Sequence, residues 1–192
     1  MQSHWKPTRA EIAAAHGNTV PDVIAHDLRV LFCGINPGLY SAAVRHHFAR
    51  PGNRFWPTLH RAGFTERVLS PFEERELLSL GYGITNIVNR ASATADQLTA
   101  QELVRGVPKL KKKLVLFRPR FVAFLGVTAY RTAFNRPQAV VGRQSDRLAK
   151  SAVWILPNPS GLNAHYQIDD LVAVFSELRI ASEHSSRSGR DE

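Results

Sequence analysis

The run Leu31-Phe32-Cys33-Gly34-Ile35-Asn36-Pro37-Gly38 is apolar until it stops at a Gly/Pro/Asn turn, and Val153-Trp154-Ile155-Leu156-Pro157-Asn158-Pro159-Ser160-Gly161 repeats that design far downstream. A short apolar run bounded by turn residues reads as a buried strand, with the turn marking where its C-terminal end opens to solvent. In open α/β sheets that end is where ligands bind. Both turns put an asparagine there, a group that donates and accepts hydrogen bonds but takes no proton at neutral pH. The pair points to a site that positions its ligand without ionising.

Outward from these two runs, two further apolar segments bring the expected strands to four, over 29–35, 82–88, 120–127 and 152–156. Helix-start signals fall between them. Thr8-x-x-Glu11, Ser70-x-x-Glu73 and Thr99-x-x-Glu102 match the capping box, and Pro71 sits at the favoured first helical position. Helices are therefore predicted over 7–15, 53–62, 71–80, 100–117, 127–134 and 168–181. Strands alternating with helices imply βαβ units, a mostly parallel sheet and helices on both faces. The stretch 182–192 is Ser/Arg-rich with almost nothing to bury, and reads as a disordered tail behind a single domain spanning 1–181.

A chain of 192 residues suits one domain with a full core, and 44% hydrophobic residues is ordinary for a soluble globular protein. The charge is less ordinary. Twenty-five Lys+Arg against 16 Asp+Glu leave +9, an excess that attracts polyanions, nucleic acid foremost. Cys33 is the single cysteine, so one chain builds no disulfide, thiolate zinc site or cysteine-held cluster. Inside a buried run it reads as a small hydrophobe. No apolar signal region opens the chain, and no run approaches the ~20 residues of a membrane span. A soluble, cytoplasmic protein is expected.

Ser160-Gly161-Leu162-Asn163 offers one large apolar side chain from an exposed-looking turn. Such a leucine packs as a loop anchor or, beside a basic surface, serves as a wedge between DNA base steps. The segment 42–56 interleaves Arg45, His46, His47, Phe48, Arg50 and Arg54 with Phe55 and Trp56. That mixture supplies stacking surfaces and phosphate contacts, or a helix start whose Phe55 and Trp56 are core. His46 and His47 read as DNA-backbone contacts, since no third ligand of suggestive spacing makes a metal site. Lys109, Lys111, Lys112 and Lys113 resemble a DNA patch but fall within an amphipathic helix, where a solvated face accounts for them.

Three motifs in order, Gly34-Ile35-Asn36-Pro37-Gly38, Pro51-Gly52-Asn53-Arg54-Phe55-Trp56 and Asn158-Pro159-Ser160-Gly161-Leu162, resemble the signature of the mismatch-specific uracil/thymine DNA glycosylases, a branch of the uracil-DNA glycosylase superfamily. The similarity runs from about residue 28 to 179. It implies a three-layer α/β/α sandwich with a small, mostly parallel central sheet of about four strands and a DNA-facing pocket at the strand C-terminal ends. The implied activity is monofunctional hydrolysis of the base–sugar bond of uracil in DNA, notably in G:U mismatches and with thymine or other damaged pyrimidines as further substrates. An abasic site is left without strand cleavage.

By motif position the resemblance assigns Asn36 to the attacking water and Phe48 to stacking on the flipped base. Ile35 lines the pocket through its backbone, and Asn86 falls where relatives place a polar base-contacting residue. Asn158 stands where the efficient uracil-specific branch carries histidine. Ser160, Gly161, Leu162 and Asn163 form the wedge. The implied partner is DNA, double-stranded and also single-stranded, bound by a monomer without metal or cofactor.

Asp96 is the only carboxylate between Glu76 and Glu102. It is either a general base reaching the water or a helix-approach aspartate near the Thr99 cap. Two rivals to the glycosylase are a non-catalytic nucleic-acid-binding module that keeps the fold, and a nucleotide-binding α/β enzyme. The chain lacks both G-x-x-x-x-G-K-[ST] and G-x-G-x-x-G, which weakens the second.

Overall fold

Four of the five strands are the apolar runs, each with every residue buried. The computed structural model describes residues 5–163 and 165–184. It contains β1 (Val30–Gly34), β2 (Tyr82–Asn86), β3 (Phe121–Leu125), β4 (Gly142–Leu148) and β5 (Ser151–Leu156), in the order β2-β1-β3-β5-β4. The first three and β5 are parallel, with Val30 opposite both Tyr82 and Phe121, and Phe121 opposite Ala152. The expected four strands are thus joined by a fifth. β4 runs antiparallel to β5 at the sheet's edge, and its Gly-Arg-Gln-Ser-Asp-Arg-Leu sequence faces water with only Leu148 buried. An edge strand needs no apolar run, which is why periodicity misses it.

The helices are α1 (Arg9–Ala14), α2 (Leu39–Val44), α3 (Phe55–Arg61), α4 (Ala100–Phe117), α5 (Val127–Phe134) and α6 (Ile168–His184). All three predicted capping boxes close, with the Ser/Thr hydroxyl and the N3 glutamate each bonding the other's backbone. The Ser70 box starts a 3₁₀ helix, Pro71–Leu78, in place of the predicted α-helix. α2 has no sequence signal, since it starts at Gly38 without a side-chain cap. α6 runs three residues past 181, through Ser182, Glu183 and His184, and the rest of the expected tail lies outside the described residues.

Successive residues of a strand point to opposite faces, and β1 shows the result. Val30 and Phe32 enter one core with Phe55, Leu59, Leu77 and Phe175, under α3, α6 and the 3₁₀ helix. Leu31 and Cys33 enter the other with Leu110, Leu114, Phe124 and Tyr130, under α4 and α5. Three layers result, as the α/β/α expectation requires. Phe32 anchors the first core, with edge contacts to Phe55 and Phe64 at 5.5 and 5.4 Å and a stacked contact to Phe175 at 6.1 Å. Burial pushes the Cys33 thiol far up, so it stays a protonated, inert hydrophobe.

Of the lysine run, Lys109, Lys111 and Lys112 are exposed on α4, whereas Lys113 turns inward to Asp22 at 2.5 Å and donates to the Thr85 hydroxyl at 3.0 Å. Among the described residues no helix is long and apolar enough to cross a membrane.

α4 approaches the chain beyond β2 so closely that only glycine fits at 106. A Cβ there would sit 2.3 Å from the Ile87 carbonyl oxygen, a backbone atom that cannot swing aside. Gly106→Ala gains about 1 kcal/mol of helix propensity but forces the helix off the sheet at a cost of about 1–3 kcal/mol or more. The expected result is a net loss of stability, read as a lower urea midpoint. A midpoint raised by the alanine would show that the contact is soft.

Candidate functional site

The parallel strands end together, so the turns after β1, β2, β3 and β5 crowd one edge of the sheet. A cleft of about 580 Å³ opens there, lined by Ile35, Asn36, Phe48, Asn86, Asn158 and Leu162 among others. Asn36 and Asn158, from motifs more than a hundred positions apart, therefore share one cavity. Asn53, Ser160 and Asn163 border it as well.

Asn36 is held by its amide nitrogen. Nδ2 donates to the Arg90 carbonyl at 3.0 Å and to the Ser92 hydroxyl at 2.8 Å, which spends both of its hydrogens. A carbonyl can only accept, so the amide's orientation is fixed and Oδ1 is left as an acceptor for the cleft. Ser92 is buried and passes its own hydrogen to the Thr94 carbonyl at 2.7 Å. Arg90 is pinned in turn by Glu102, with Nε on one carboxylate oxygen and Nη2 on the other at 2.9 Å. Arg90 and the Thr99 backbone N–H hold the Glu102 carboxyl down to about 2, so it stays charged at any working pH. The N-cap of α4 thereby orients Asn36 through Arg90.

Asn158 has the opposite polarity. Its Oδ1 accepts the Ser160 N–H at 3.0 Å, closing a local turn. Nδ2 must then face the other way and, among the described residues, has no partner there. One asparagine offers an acceptor to the cleft and the other a donor.

Asn86 ends β2 opposite Gly34 in the parallel register, buried, with its amide over that glycine. A Cβ on Gly34 would lie 2.4 Å from Asn86 Oδ1 and 3.5 Å from Phe48 Cζ. Gly34 is therefore the floor of a slot walled by an aromatic ring and an amide. Ile35 borders the cleft beside Gly126, but its carbonyl is already taken by the Val88 N–H at 3.0 Å.

Phe48 has φ +52°, a left-handed conformation that costs a bulky residue. Several neighbours over-determine it. Its ring stacks on Phe55 at 4.1 Å, and Ala49 N–H bonds Ser41 Oγ at 3.0 Å. The preceding residue is tied three ways: His47 N–H to Glu74 Oε2 at 2.8 Å, His47 Nε2–H to the Pro21 carbonyl at 2.9 Å, and Trp56 Nε1–H to the His47 carbonyl at 3.3 Å. His47 is 3% exposed and His46 meets Glu74 at 2.9 Å, so the expected DNA-backbone role fails for His47. It is instead the post on which the Phe48 loop is hung.

The leucine turn stands out from the surface. Leu162 is 66% exposed, while its N–H bonds the Ser160 hydroxyl and Asn163 N–H bonds the Ser160 carbonyl at 3.0 Å. Gly161 lies against the 51–54 turn, where a Cβ would meet the Gly52 carbonyl oxygen at 2.6 Å. Arg45 and Arg50 are exposed nearby.

Asp96 does not join this group. It sits in the exposed 3₁₀ turn Ala95–Gln97, and the cleft is lined by Ser92 to Ala95 but not by Asp96. No carboxylate among the described residues lines the cleft. Nor, among them, do three His, Cys, Asp or Glu side chains gather as a metal site. The sequence reading overlooks Ser92 and Arg90, and it groups Arg54 with the phosphate-contacting cations of 42–56, whereas Arg54 bonds the main-chain carbonyls of Ser160, Asn163 and Tyr166.

The family model described as Uracil DNA glycosylase superfamily matches residues 21–179, most of the chain. Among solved structures, the solution NMR structure of a candidate uracil DNA glycosylase from Methanosarcina acetivorans shares the fold, with a TM-score of 0.56. The two are 18% identical over 85% of this chain and 98% of that one.

Burial keeps the His47 imidazole below its ordinary 6.5, outweighing the upward pull of Glu74. The folded state thus holds His47 neutral while the unfolded chain takes up a proton as pH falls through 6.5. Stability is present above that pH and declines below it. His47→Gln, which keeps a donor for Pro21, is expected to flatten this acid loss in urea denaturation across a pH series. Parallel curves for the two proteins would show that His47 does not contribute to it.

Proposed function

Because the chain belongs to the uracil-DNA glycosylase superfamily, we propose that it is a monofunctional DNA glycosylase that flips uracil out of DNA, G:U mismatches above all, and hydrolyses the N-glycosidic bond. Thymine and other damaged pyrimidines are the further candidates, the protein acting as a monomer in the cytoplasm on double- and single-stranded DNA. The observation that carries this reading is the opposed orientation of the two asparagines, Asn36 offering Oδ1 and Asn158 offering Nδ2 to one cleft.

Breaking the bond builds positive charge on the sugar and negative charge on the departing base. A fixed donor aimed at the base oxygen stabilises that charge without rearranging, which is the role of Asn158 Nδ2. Asn36 Oδ1 accepts a hydrogen bond from water and aims its oxygen at C1′. The base leaves with the bonding electrons, the water oxygen bonds to C1′, and its surplus proton passes to solvent. The target base occupies the slot over Gly34, stacked on Phe48, with its polar edge toward Asn86. Leu162 fills the gap it leaves, flanked by Ser160, Gly161 and Asn163.

With no carboxylate among the described residues lining the cleft, water is oriented but not deprotonated in the ground state. Excision then depends on leaving-group quality, which favours uracil because it departs as a stabilised anion. The same absence favours one alternative, a DNA-binding protein that keeps the fold without turnover. Duplex DNA carrying G:U, incubated with the protein and then cleaved at abasic sites with alkali, separates the two. Strand breaks at the uracil are expected. No product at stoichiometric protein leaves the non-catalytic reading.

Asn36→Ala is expected to slow single-turnover excision by on the order of 10²-fold, the scale of removing one preorganised polar group. Leu162→Ala should impair duplex more than single-stranded substrate, because a wedge acts only where a stack must be opened. Equal losses on both would remove the wedge role. Raising salt should weaken DNA binding through phosphate contacts near Arg45 and Arg50, and a flat response in filter binding would exclude them.

A further inference from the structure

Arg54 stands apart from the arginines that pair with carboxylates. Arg61, Arg67, Arg90, Arg118, Arg136 and Arg179 each meet a carboxylate. Arg54 meets none among the described residues and instead faces three main-chain carbonyls of one loop. Nη2 donates to Ser160 O at 2.6 Å and Asn163 O at 2.9 Å, and Nη1 donates to Tyr166 O. Its own N–H bonds Pro159 O at 3.0 Å, while Nε is buried and, among the described residues, has no partner. A cation with an unsatisfied buried donor is costly unless its remaining bonds return the loss. The return here is the placement of the 159–163 turn and of Tyr166 beyond it.

We infer that Arg54 is the positioning residue of the wedge: its guanidinium gathers the carbonyls of Ser160, Asn163 and Tyr166 onto one cation and so holds Leu162 in its projecting pose. The inference rests on the glycosylase reading for its activity arm alone. Two nitrogens of a rigid fork serve carbonyls spread along seven residues, a span that a single ammonium does not cover at once. The same residue occupies the N-cap position of α3, whose first residue, Phe55, backs Phe48 at 4.1 Å. Arg54 therefore joins the wedge to the wall of the base slot, so that insertion at one end meets a rigid support at the other. Opening a stacked duplex pushes back on Leu162, and a loop free to yield wastes that push. A single strand exerts no such load.

Arg54→Lys, which keeps the charge, tests this in two measurements. Excision from duplex should fall by about ten-fold or more, the scale of losing one charge-assisted bond, while excision from single-stranded DNA and the salt dependence of binding stay near wild type. Amide hydrogen exchange in the loop at Gly161, Leu162 and Asn163 should quicken without substrate present. Equal loss on both substrates, or unchanged exchange in the loop, overturns the inference. If wild type excises nothing yet the lysine variant loosens the loop, the positioning role stands and the glycosylase reading falls. Should the lysine variant not fold, Gly161→Ala decides. Its Cβ presses the loop off the Gly52 carbonyl with the cation intact, and the same duplex-selective loss is expected. No selectivity there refutes the inference.

Discussion

A main-chain carbonyl can only accept a hydrogen bond and a main-chain N–H can only donate one. The site depends on that asymmetry. An asparagine side chain has one end of each kind, so a backbone partner at one end dictates what the other presents. The Arg90 carbonyl fixes Asn36 with its oxygen outward, and the Ser160 N–H fixes Asn158 with its nitrogen outward. Exchanging either partner for a group that both donates and accepts would let the amide flip at little cost. The polarity of the cleft is thus a property of the backbone around it, and the backbone is positioned by the strands.

Those strands are in register because both faces of the sheet are buried. Slipping β1 by one residue would send Phe32 into the α4 side and Leu31 into the α3 side, exchanging two shapes that fit only their own cores. The register places Gly34 opposite Asn86, and that pairing fixes the slot floor. Glycine is needed there for room. Only 2.4 Å separates a would-be Cβ from the Asn86 oxygen. The core and the site are therefore specified by the same alternation of residues along β1, with no separate device for each.

What could be read from the chain follows from how local each signal is. Buried strands announce themselves because all their residues are apolar, and a capping box is four residues long, so β1, β2, β3, β5 and α4 were legible. A box specifies where a helix starts and not its pitch, which is why Ser70 was read correctly and the 3₁₀ winding after it was not. β4 and α2 carry neither signal. The asparagines at 36 and 158 were legible because strand ends of a parallel sheet converge, and Asn86 only through the family resemblance. For Asp96 the chain left two readings open, a base or a helix-approach aspartate, and the structure puts it in the exposed turn just before the Thr99 cap, outside the lining. His47 and Arg54 were misread or missed because their partners, Pro21, Glu74, Ser160 and Tyr166, lie 26 to 112 positions away.

The strain at Phe48 shows how such distant bonds serve the cleft. A left-handed φ on an aromatic residue costs on the order of 1–3 kcal/mol and persists only where the surroundings leave no alternative. Glu74, Pro21, Trp56 and Ser41 between them hold the residues on either side, and Phe55 holds the ring. Relaxing the backbone to an ordinary φ would swing the ring away from Gly34 and break the wall of the slot. The same Phe55 follows Arg54, which gathers the Leu162 loop. A short stretch of α3 is thus shared by the two loops that must act on one nucleotide. Neither loop has a regular structure to stiffen it, and the rigidity each needs is borrowed from that helix and the core beneath it.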